Sequence, residues 1–96
     1  MPKGYFVVLH RSKANVESRE EYLKIASPAI LAVGGKVLAS NDKVYAYENG
    51  LVERVVLVEF ISFEVAIKFY NSQEYQEALN ALKNGADRDF RIIEGI

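Results

Sequence analysis

Val52-Glu53-Arg54-Val55-Val56-Leu57-Val58-Glu59-Phe60 is too short and too rich in β-branched residues to be anything but a strand. Successive side chains of a strand point to opposite sides of its sheet. Val56, Val58 and Phe60 therefore share one side and Val55 and Leu57 the other, so both sides are apolar. A strand of this kind belongs in the middle of a sheet that is covered on both faces.

Upstream, Asn49-Gly50 suits a tight hairpin turn, since both residues tolerate positive φ. It would join the strand to an earlier one, read as two pieces, Lys36 to Ala39 and Val44 to Tyr47, with a bulge or bend near Asn41-Asp42. Downstream, Ser62 is a cap for a helix whose apolar face is Phe63, Ala66, Ile67 and Tyr70. Asn71-Ser72 interrupts that helix, and Asn71 with Glu74 marks a second start. The continuation carries Tyr75, Ala78, Leu79 and Leu82 as far as Gly85, and Phe90 to Glu94 makes the last strand.

Farther upstream, Tyr5 to Leu9 is a second apolar run without alternation, again a central strand. Val16, Tyr22, Ile25, Ala26, Ala29 and Val33 then recur at helical spacing until Gly34-Gly35. Asn15 or Ser18 caps this helix, and Pro28 should kink or restart it because proline has no amide to donate. The order is strand, helix, strand, strand, helix, strand. That order predicts one α+β domain over 1–96, a ferredoxin-like βαββαβ sandwich with a four-stranded antiparallel sheet and the first and third strands in its centre. Two helices cover only one face. The economical cover for the other is a second copy of the same chain, giving a homodimer that packs through its bare sheet faces as a dimeric α/β barrel; a monomer with loops over that face is the alternative.

The chain has 96 residues, half of them hydrophobic, with 12 Lys and Arg against 13 Asp and Glu. This balance offers no pull toward nucleic acid or an anionic membrane. No apolar stretch is long enough to cross a bilayer, and no signal-peptide core stands at the N-terminus, so a cytoplasmic chain is expected. The absence of cysteine excludes disulfides, iron–sulfur clusters and thiolate chemistry, and a single histidine argues against a histidine metal site within one subunit. No P-loop, Rossmann glycine fingerprint, G-x-S-x-G or H-E-x-x-H occurs, and no cofactor is expected.

Gly34-Gly35-Lys36-Val37-Leu38, Arg54 to Phe60, Tyr70-Asn71-Ser72-Gln73-Glu74-Tyr75 and Glu94-Gly95, in this order and spacing, resemble the family designated domain of unknown function 1330, in the dimeric α/β-barrel superfamily. Phe69 stands where that pattern has Trp, and Lys36 and Lys83 stand where Arg is usual. The resemblance implies a ferredoxin-like dimer. Superfamily relatives include cofactor-independent monooxygenases, isomerases, haem enzymes and stress-response proteins, so the fold assigns no reaction.

Four residues are candidates for chemistry. Arg54 has the parity of Val56 and Val58, with its stem toward the core and its planar guanidinium free to take a carboxylate or enolate; the alternative is a salt bridge to Glu48, to Glu59 or to Glu53 of a partner. His10 has the parity of Phe6 and Val8 and, as the sole histidine, is the natural proton shuttle near neutral pH. Tyr70, with Tyr22 and Tyr75, offers rings and hydroxyls to a planar ligand, or simply packs in the core. Glu59 lies beside Val55 and Leu57, either as a general acid or base or as half of an ion pair. The expected function is binding or transforming a small anionic or aromatic organic ligand in an oxygenase-like or isomerase-like pocket. A non-catalytic dimeric binding or interaction module is the alternative.

Overall fold

The computed structural model describes residues 2–96. It contains β1 (Gly4–His10), α1 (Val16–Ala32), β2 (Lys36–Asn41), β3 (Val55–Phe60), α2 (Phe63–Tyr70), α3 (Gln73–Leu82) and β4 (Arg88–Glu94). The strands form one antiparallel sheet in the order β2-β3-β1-β4, so β1 and β3 are central and the fold is ferredoxin-like.

Along β1, Gly4, Phe6, Val8 and His10 are buried while Tyr5, Val7 and Leu9 are only partly covered. The buried side meets the helices. There Phe6 lies at ring-centroid distances of 4.6 Å from Phe60, 4.8 Å from Phe90 and 5.9 Å from Tyr75, and Ala26, Ala66, Phe69 and Ala78 complete the core. Truncating an aromatic so placed typically costs about 3–5 kcal/mol. Gly4 is required by packing, because a Cβ there would sit 2.5 Å from the carbonyl oxygen of Ser62, where the chain turns into α2.

Local signals fix the helix ends. The Asn15 side chain accepts the amide of Ser18 at the start of α1, and Ser62 accepts that of Val65 at the start of α2. At the far end of α1 the amides of Gly34 and Gly35 donate to the carbonyls of Leu31 and Ile30, and Gly34 takes φ +78°, which closes the helix in a Schellman turn. Pro28 neither ends nor restarts α1, which is one helix through Ala32. The second start is capped by Ser72 rather than Asn71. The Ser72 hydroxyl accepts the amide of Tyr75, and Asn71 instead closes α2.

The second strand differs most from expectation. β2 runs unbroken from Lys36 to Asn41, and its register shift falls between Val37 and Ala39 rather than at Asn41-Asp42. The Asn41 side chain accepts the amides of Asp42 and Lys43, and this local turn competes with further pairing. Residues 44–47 join no ladder. The amide of Gly50 bonds to the carbonyl of Tyr47, so the chain does turn there, but Glu48 takes the positive φ and no hairpin forms around it. The result is an irregular arm over 42–54 in which Tyr45 is 88% and Tyr47 74% exposed. β3 correspondingly begins at Val55 and β4 already at Arg88.

Candidate functional site

His10 ends β1, and its backbone amide donates to the carbonyl of Arg54 at 3.0 Å. On its other side His10 is the direct cross-strand partner of Arg88, the first residue of β4. Neighbouring strands lie about 4.8 Å apart, so Arg54, His10 and Arg88 form a row across one end of the sheet. His10 is on the buried, helix-facing side with Phe6 and Val8. Arg19 of α1 joins the row from above and lines the same spaces as His10.

Cationic neighbours in a row repel one another, which ordinarily calls for acidic partners. Two nearby acids are engaged elsewhere: Arg11 bonds to Glu53 and, at 2.6 Å, to Asp89. Among the described residues no carboxylate pairs with Arg19, Arg54 or Arg88. Arg54 donates to the hydroxyl of Ser40 at 2.9 Å, and Arg88 lies over the rings of Tyr22 and Phe90 at 5.2 and 5.1 Å. The Nε of Arg54 and the Nδ1 of His10 are both buried without a hydrogen-bond partner. Such groups cost about 1–3 kcal/mol each when left unmet.

Burial, then the charges of Arg88, Arg19 and Arg54, hold the His10 imidazole below its ordinary value of 6.5, against a smaller opposing effect of Glu53. His10 is therefore neutral at pH 7. Burial, and after it Arg54, also lowers Arg19. Beneath Arg88 the hydroxyls of Tyr22 and Tyr75 lie 2.7 Å apart, and burial pushes the Tyr75 phenol up.

Two spaces meet at this cluster. The outer one is an open cleft of about 570 Å³ whose walls include His10, Arg19, Arg54, Lys13, Asp42 and Val52. The inner one is a void of about 90 Å³ between α1 and the sheet, walled largely by apolar side chains such as Val8, Ala26, Ile30, Val56 and Phe90. His10 and Arg19 line both. Planar guanidiniums, that of Arg54 with an unmet Nε donor, beside a neutral imidazole suit a carboxylate or enolate, and the imidazole can also exchange a proton with it.

Of the four residues singled out in the sequence, Arg54 and His10 come together here. Tyr70 does not line either space. It packs in the aromatic core, 5.0 Å from Phe90 and 5.2 Å from Tyr75 between ring centroids. Glu59 sits at the opposite end of β3 on the helix-free face, 3.6 Å from the ammonium of Lys3 and 3.5 Å from the hydroxyl of Tyr5. Arg19 and Arg88 were not anticipated. Arg88 shares the parity of Phe90 and Ile92, and Arg19 precedes Tyr22 and Ala26 at helical spacing, but neither pattern says that both converge on His10. Among the described residues no group of three or more potential ligands could hold a metal ion, and no helix is long and apolar enough to cross a membrane.

The family described as Domain of unknown function (DUF1330) matches residues 3–96. No curated protein matches the chain. Among solved structures, a Rhodopseudomonas palustris protein of unknown function, RPA0582, is 16% identical over 99% of this chain and 83% of its own, with a TM-score of 0.74. A dimeric ferredoxin-like protein of unknown function from Thermobifida fusca is 11% identical over 97% of this chain and 91% of its own, with a TM-score of 0.61. A Caulobacter crescentus protein provisionally assigned as an antibiotic biosynthesis monooxygenase is 13% identical over 99% of this chain and 90% of its own, with a TM-score of 0.60. At these identities the likeness is one of fold.

Proposed function

Because the chain belongs to the DUF1330 family, whose description assigns no activity, we propose its function from the site itself: it binds a small organic anion at Arg19, Arg54, His10 and Arg88. The observation that carries this reading is the set of three guanidiniums without carboxylate partners around a histidine whose Nδ1 is buried and unmet, at the junction of a cleft and a void. An anion supplies the missing charge, and its oxygens the missing acceptors. In the catalytic version His10 accepts a proton from an enolisable anion while the arginines hold the resulting enolate. That version has the chemistry of an isomerase and needs no cofactor. Thermal-shift measurements at constant ionic strength test the binding: small carboxylates should raise Tm in the wild type and not in Arg54→Ala. Equal shifts in both proteins would remove Arg54 from the site.

The same proposal includes a homodimer. The helix-free face presents Tyr5, Val7 and Leu9 of β1 beside Val55 and Leu57 of β3, with Ile93 of β4 at its edge, 56% exposed. This apolar surface runs across three adjacent strands, and a second copy covers it with an identical one. The dimeric state of the Thermobifida fusca protein supports the reading. The arm over 42–54, with Tyr45, Tyr47, Leu51 and Val52 exposed, adds apolar surface that one chain leaves in water.

A further inference from the structure

Resting on the anion site proposed above, we infer that its ligand is a short aliphatic carboxylate, held by its head at the arginine–histidine junction with its tail in the inner void, and not an aromatic acid. The void lies directly behind the cluster, since His10 and Arg19 are walls of both spaces. In the void the tail of a carboxylate held at the junction meets a continuous apolar wall of Val8, Ala26, Ile30, Val56 and Phe90. The outer cleft is open to solvent and carries the charged residues Lys13, Glu20, Asp42 and Glu53 among its walls, so a tail lying there stays wet. Volume then selects the tail. The void measures about 90 Å³, space for about three water-sized heavy atoms, whereas a cavity that admits benzene is nearer 150 Å³. A benzene ring is too large for it, and a propyl or isopropyl group fits. Each buried methylene adds about 0.8 kcal/mol, a gain of about fourfold in affinity.

The test is a chain-length series by NMR titration of the full chain at constant ionic strength: acetate, propionate, butyrate, isovalerate, hexanoate, octanoate and benzoate. Affinity should rise about fourfold per carbon as far as butyrate and fall for octanoate, with benzoate weaker than butyrate. Val56→Ala, which widens the void, should move the optimum to a longer acid. Three results overturn the inference while leaving the anion site intact: affinity independent of chain length, affinity still rising at octanoate, or benzoate binding more tightly than butyrate. If no carboxylate in the series binds, the anion site itself falls, and this inference with it.

Discussion

The backbone amide of His10 bonds to the carbonyl of Arg54, and that one contact fixes the order of groups at the end of the sheet. It holds the strand end bearing the neutral imidazole against the residue that brings a guanidinium to it. On the other side, the β1–β4 register sets Arg88 opposite the same histidine. The ladder that builds the sheet thus also assembles the site. A slip of one residue in either pairing would turn a side chain of the row to the helix-free face.

A cation placed among cations costs stability, and Arg54→Met should return some of it. The substitution removes a like charge and an unmet buried Nε while keeping an unbranched stem. Chemical denaturation in the absence of ligand should show a variant more stable by about 0.5–1 kcal/mol that no longer binds anions. A clearly less stable variant would mean that Arg54 serves the fold and not a ligand.

The pH dependence of stability should carry the signature of His10. Its folded pKa lies below the ordinary 6.5, so the unfolded chain takes up the proton more readily than the folded one. His10 therefore imposes no penalty above pH 6.5; the penalty appears as pH falls below 6.5 and levels off below the folded pKa. His10→Gln should flatten the decline in that window when unfolding is followed in urea from pH 8 to 5. Parallel profiles for the two proteins would contradict the lowered pKa.

Much of this architecture is legible in the residues. Val55 to Phe60 and Tyr5 to Leu9 announce central strands by failing to alternate, and Asn15, Ser62 and Gly34 mark helix ends through short-range chemistry that acts wherever the sequence occurs. The arm over 42–54 is not legible, because Val44 to Tyr47 has the composition of a strand while the Asn41 side chain takes the amides of Asp42 and Lys43 into a local turn. The site is half legible for a related reason. Parity places Arg54 and His10 on the core side of their own strands, but bringing Arg88 and Arg19 to them depends on strand register and on the seating of α1, which are properties of the packed whole.

The dimer makes its own prediction at Leu57, which lies on the helix-free face opposite Val7. Sedimentation equilibrium at micromolar concentration should give about twice the chain mass for the wild type. Leu57→Glu should yield a monomer or an unfolded chain, since an unpartnered charge buried at an interface costs several kcal/mol. A wild-type monomer under these conditions would remove the second copy from the account.

Because His10 is the one histidine in the chain, its imidazole resonances report on the site without ambiguity, and their response to anions is the most direct measurement. Acetate, butyrate and benzoate should each be added to wild type and Arg54→Met at fixed pH and ionic strength, up to about 50 mM, a range that reaches weak millimolar binding. At least one acid should move the His10 signals of the wild type along a saturable curve, raise the imidazole pKa by placing a negative charge beside it, and leave Arg54→Met unmoved. His10 signals that stay fixed in the wild type with all three acids, or that move equally in both proteins, would contradict an anion site at Arg19, Arg54, His10 and Arg88.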